Sequence, residues 1–390
     1  MSAAVQEESR AIRQLRAAGA AGSEVRELLA YNANPFDLEI FKRPLDLPLR
    51  DEPFVDAWRL WCRDAARRGA AATLRERLTE LHFPIREGVS HWPSYRQATR
   101  RGVDPRGMSQ ATGVELERPD SISLRVEESL AGAVPVIVVR DRPTFEALVR
   151  ALSRSNEPAT VPEALGGLMI TNYRNWWRLR RLYGRSDSAL AAAGRRERST
   201  DRFMLLSDGP YSAVPAAELG LEDAAWRRRS LELRQAHEQV HYLMRRLLGV
   251  MRNNLLDELI ADYLGMRLAW GAFRPDWFLR CLGLDGRGRY GPGGRLDLYR
   301  GDPALSPGAF EALQRLIWRA TRSLEDFDRS LGPEAWNTRR TAAILGALAS
   351  SRLETLAAEG GGEALRAALK ELELRLERSP EPPEAPVQAP

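Results

Sequence analysis

Two histidines one helical turn apart, His237 and His241, frame the run His237-Glu238-Gln239-Val240-His241, and two acids, Glu258 and Asp262, follow at the same four-residue spacing. Four residues advance an α-helix by slightly more than one turn, so each pair projects from a single face of its helix. Gly249 stands where a helix terminates, and Asn254 with Asp257 three residues later resembles a capping box for the helix that follows. With so short a link, the two helices must lie antiparallel as neighbours. At ~1.5 Å per residue, His241 and His237 stand ~10 and ~16 Å from the turn, and Glu258 and Asp262 ~6 and ~12 Å. The offset is the same for both pairs, so His241 faces Glu258 and His237 faces Asp262.

The surrounding residues say how this hairpin is buried. Leu233, Ala236, Val240, Leu243 and Leu247 form an apolar stripe on the first helix, and the histidines border it with Met244 and Leu248. On the second, Leu255, Leu259, Ile260, Tyr263 and Leu264 supply the apolar face, while Glu258, Asp262, Gly265 and Ala269 run down another. Small residues allow close helix approach. Buried carboxylates need partners, because leaving one unpaired in an apolar setting is costly. A metal ion for Glu258 and an imidazole N–H for Asp262 would meet that need.

Composition bounds the remainder. At 390 residues the chain exceeds the ~250–300 at which one core stops growing, so more than one packed substructure is expected. The sequence predicts an α+β protein that is predominantly α-helical, with helices over residues 3–30 and in the span 51–81. Strands are expected near 122–126, 134–139, 168–171 and 203–206, with helices starting at Pro143 and around Trp176. Long helices are expected from past Gly220 to Leu248 and from Leu255 to Trp270. The glycine-rich stretch 283–301 reads as a loop or lid, helices are expected over 310–324 and 336–356, and a last helix runs to 378. The expected regions are a helical 1–118, an α+β core 119–300 holding the hairpin and a small mixed sheet, a helical 301–378, and a proline-rich disordered tail 379–390.

Of the 58 basic residues only Lys42 and Lys370 are lysines, a skew that reflects base composition more simply than nucleic-acid binding, and no nucleic-acid motif accompanies it. No stretch approaches the ~20 apolar residues of a membrane span. The polar start is not a secretory signal, and two cysteines, Cys62 and Cys281, argue against a disulfide framework. A cytoplasmic location is the expectation, with neither nucleic acid nor membrane as partner.

The arrangement His237-Glu238-x-x-His241 followed by Glu258-x-x-x-Asp262 resembles the gluzincin, or thermolysin-like, branch of zinc metallopeptidases. That resemblance implies His237, His241 and Glu258 as ligands of one Zn2+ per chain, Glu238 as the general base that activates a zinc-bound water, and Asp262 as the residue orienting the first histidine. It covers roughly residues 222–270. The run from Met251 to Asp262 is also similar to an uncharacterised bacterial protein family. The function so implied is metal-assisted hydrolysis of an amide in a peptide or protein substrate; the alternative is a non-catalytic regulatory or interaction protein with a structural or vestigial zinc site. For the oxyanion-stabilising side chain, no motif matches, and His91, Tyr211, Tyr263 and Arg252 stay open. Gly286-x-Gly288-x-x-Gly291 spells a dinucleotide fingerprint but follows a helix rather than a strand and runs into Pro292, so it is set aside.

Overall fold

The computed structural model describes residues 3–43, 45–184, 200–250, 254–291, 294–332 and 337–377. The tail expected at 379–390, most of the arginine-rich linker at 185–202, and Arg252 lie outside the described residues. The chain divides into two compact units, one formed by Arg50–Glu238 and the other by Met1–Leu49 with Gln239–Pro390. The region 119–300 expected as one core therefore contributes to both. Overall the protein is a predominantly helical α+β fold, as its hydrophobic periodicities require.

The unit Arg50–Glu238 is built on a four-stranded mixed sheet, β1 (Ile122–Glu127), β2 (Val134–Val139), β3 (Gly167–Arg174) and β4 (Thr200–Ser207), in the order β1-β2-β4-β3. β2 pairs antiparallel with β1 and parallel with β4, and β3 closes the other side antiparallel to β4. Every residue of β2 is buried, which is why its sequence, Val-Pro-Val-Ile-Val-Val, shows no polar alternation. A register shift between Ile170 and Tyr173 bends β3, with Asn172 in the left-handed region at φ 57°. Helix Val55–Arg68 packs on β1 and β2 and sends Trp58 and Trp61 into a core with Phe145, Leu148, Ile137 and Phe203. Helix Arg142–Ser153 packs on β2 and β4; Asp141 caps it by accepting from Thr144 N at 3.0 Å, and Pro143 occupies its first turn, where no N–H is needed.

The other unit is helical among its described residues. Helix Pro307–Ser330 packs against Ser23–Tyr31, Pro275–Leu282 and Gly361–Glu377, and Gly361–Glu377 in turn lies on Thr338–Ala349. Two expectations are corrected here. The single helix over 3–30 is two, Ala3–Ala17 and Ser23–Tyr31, because Gly19 and Gly22 take positive φ, 94° and 51°, which ends one helix before the next begins. The helix over 336–356 is Thr338–Ala349 and a short turn Leu353–Leu356. The glycine-rich stretch, read as a loop or lid, includes among its described residues a 3-10 turn, Arg295–Tyr299, and a bridge from Leu284 to Tyr290.

Helix Asp223–Leu248, of 26 residues, carries both histidines; the acidic helix Leu255–Trp270 follows it. No helix among the described residues is long and apolar enough to cross a membrane, and Cys62 and Cys281 are both free thiols.

Candidate metal centre

The two hairpin helices form where the sequence places them. Gly249, at φ 74°, follows the last turn of the histidine helix, and Asn254 caps the acidic helix, its Oδ1 accepting from Leu256 N at 3.1 Å and Asp257 N at 3.3 Å. From Leu255 to Met266 every residue of the acidic helix is buried, so it is a central helix rather than a surface one with an apolar stripe.

His237, His241 and Glu258 come together on these helices: one donor atom from each lies within 4.8 Å of the others. All three are buried, at 6%, 3% and 4% exposure, and Glu238 and Asp262 are buried beside them in sequence. His241 Nε2 stands 3.3 Å from Glu258 Oε1. Two ligands of a tetrahedral ion with bonds of about 2.0–2.1 Å are separated by roughly 3.3–3.4 Å, so this pair already has the spacing such an ion needs. Two imidazoles and one carboxylate also form a donor set of the kind zinc takes. The residues present thus fit a divalent ion of that type.

Two of the three donors, His237 and Glu258, are held by partners further out. His237 Nδ1 lies 3.1 Å from Tyr211 Oη, the ring centroids 6.1 Å apart and edge-on. Tyr211 follows the turn that leaves the C-terminal end of β4, and one stripe of the histidine helix grips that turn at successive helical spacings. Trp226 Nε1 donates to Val214 O at 2.8 Å, and Ser230 Oγ accepts from Tyr211 N at 2.9 Å. Arg234 donates to Ser207 O, and its Nη2 donates to Gly209 O at 3.1 Å and Pro210 O at 3.2 Å. Burial lowers the Arg234 guanidinium to about 10, still protonated at neutral pH, and its carbon lies 5.6 Å from the Tyr211 ring centroid. The side chain is admitted by Gly166 and Gly167, where an added Cβ would come within 2.5 and 2.7 Å of it. Ser212 and Ala213, directly after Tyr211, are both left-handed, at φ 54° and 60°. Non-glycine residues hold such a conformation only where neighbours dictate it.

On the acidic helix, Tyr299 Oη donates to Glu258 Oε2 at 2.8 Å, and Arg295 pairs with Asp262. Burial, and then the charge of Glu258, hold the Tyr299 phenol well above its usual range, so it stays a donor. For Asp262, expected to orient the first histidine, the partner the structure shows is the Arg295 guanidinium. Among the described candidates for an oxyanion donor, His91, Tyr211 and Tyr263, Tyr211 is the one against a histidine of the cluster. Tyr263 Oη instead donates to Asp328 Oδ1 at 2.9 Å, and His91 Nδ1 lies 2.6 Å from Arg96 Nη2 on an exposed surface.

Three supporting residues escaped the sequence reading. Arg234 was hidden among many arginines, yet it falls on one helical stripe with Trp226, Ser230 and His237. Arg295 and Tyr299 carry a signal too, being spaced by four like Asp262 and Glu258, but their glycine-rich setting conceals it.

A protein-family model described as a family of unknown function (DUF7005) matches residues 13–360 of the chain. No curated protein matches, and no solved structure does.

Proposed function

The chain belongs to the DUF7005 family, and for it we propose a zinc-dependent hydrolase acting on an amide bond of a peptide or protein. The observation that carries this reading is the convergence of His237, His241 and Glu258 within 4.8 Å, with a carboxylate, Glu238, one residue along the same helix. His237 and His241 would hold the ion from one helical face and Glu258 from the next helix. Zinc, when bound, supplies Lewis acidity, polarising a carbonyl and making water a stronger acid. Glu238, turned from the face of the two histidines, takes the proton of the attacking water and can return it to the leaving amine. Tyr211 fixes the His237 ring through Nδ1, which leaves Nε2 for the ion. Two free cysteines fit a reducing, cytoplasmic setting.

A second reading is favoured by the depth of the cluster: structural zinc sites are closed, and all three donors here are under 10% exposed. Under that reading the site holds an ion and catalyses nothing. Zinc-loaded protein assayed on a mixed panel of fluorogenic peptides, beside Glu238→Gln, separates the two. Hydrolysis lowered by at least ~10²-fold in the variant, with zinc content unchanged, supports the enzyme. No turnover by wild type across the panel, with one zinc still bound, supports the structural site.

A further inference from the structure

The acids of the central helix are met rung by rung by the turn Arg295–Tyr299. Tyr31 Oη accepts from Leu255 N at 3.2 Å and donates to Tyr299 O at 2.8 Å, tying the turn to the first residue of the acidic helix. One turn further on, Tyr299 Oη meets Glu258, and another turn on, Arg295 meets Asp262. The Arg295 guanidinium lies 5.9 Å from the Tyr299 ring centroid, so the two side chains also fix each other. The consequence for Glu258 is an unequal division of its two oxygens: Oε2 accepts from the phenol, while Oε1 lies 3.3 Å from His241 Nε2, on the side where the imidazoles converge.

We propose that Tyr299 is a positioning residue that makes Glu258 a one-oxygen ligand, so that the site selects a small four-coordinate cation such as zinc over calcium. This rests on the metal reading given above. A carboxylate free to pivot offers both oxygens and suits the larger, oxygen-rich shells of calcium, where bidentate acids are common. A phenol fixed on one oxygen removes that option, and the turn that carries it is held at both ends, by Tyr31 and by the Arg295–Asp262 pair. Residues outside the ligand shell that hydrogen-bond a ligand typically change metal affinity by 10–100-fold when removed.

The test uses the full chain. Zinc affinity is measured by competition with a chromophoric chelator for wild type and Tyr299→Phe, calcium is titrated against each, and X-ray absorption is recorded on zinc-loaded wild type. The expected result is one carboxylate oxygen at about 2.0 Å in wild type, with zinc bound roughly 10–100-fold more weakly by Tyr299→Phe and the preference over calcium narrowed. Equal zinc affinity and equal selectivity in a folded Tyr299→Phe overturn the proposal while leaving the metal site standing. Two carboxylate oxygens at bonding distance in wild type overturn it even if the variant fails to fold. A folded wild type that takes up no zinc overturns both this proposal and the site itself.

Discussion

Tyr211 Oη and His237 Nδ1 lie 3.1 Å apart, although the phenol belongs to the segment after β4 and the imidazole to the helix Asp223–Leu248, 26 residues further along the chain. The contact occupies Nδ1, and under the proposed metal reading the ion is bound through Nε2. Tyr211→Phe should therefore weaken zinc binding about 10-fold without unfolding the protein. Chelator competition beside a thermal melt checks this, and unchanged affinity would remove Tyr211 from the metal's support.

The grip on Tyr211 passes through Arg234. Arg234→Met leaves the carbonyls of Ser207, Gly209 and Pro210 without their donor, and each buried unsatisfied carbonyl costs about 1–3 kcal/mol. The expected loss is roughly 3 kcal/mol or more by denaturant unfolding. A loss under about 0.5 kcal/mol would mean that the turn is held without the guanidinium.

Metal content is the most direct observable. Wild type should carry one zinc per chain and His237→Ala or His241→Ala close to none, by elemental analysis. Chelation should lower the wild-type melting temperature, since an ion at 1,000 times its Kd adds about 4 kcal/mol to the folded state. The alanine variants should be indifferent to chelator; equal zinc in all three proteins would place the ion elsewhere.

Away from the hairpin, Glu80 predicts a pH dependence. Burial raises its carboxyl to about 7, against an ordinary value of 4.5, with partial relief from the Tyr173 hydroxyl. A carboxyl raised in the fold is protonated there while the unfolded chain has already ionised, so folding stability falls as pH rises from about 4.5 to 7. It then levels off. The loss is on the order of 3 kcal/mol for a shift of that size. Denaturant unfolding at pH 5 and pH 8 should show it in wild type and not in Glu80→Gln; parallel curves would refute it.

The hairpin was legible because its signals are local: histidines and acids at helical spacing, Gly249 and Asn254 at the ends, and few residues between. Strands were legible where apolar runs were short and bounded, as at Val134–Val139. What was hidden depends on residues distant in sequence. Nothing near Tyr299 says that Glu258 is its partner, 41 residues away, and the glycines around it point to irregular chain. The break at Gly19–Gly22 was missed because alanine-rich flanks keep the helical pattern going across it.

Gly166 and Gly167 are bare backbone at the start of β3, and the room they leave is filled by Arg234. A mutational survey confined to imidazoles and acids would pass over both. Yet a single methyl at Gly167, set 2.7 Å from the arginine's Cγ, would push on the lever whose far end is the phenol against His237. Tolerance of substitution at this strand edge thus reports on how firmly a ring on another element is aimed.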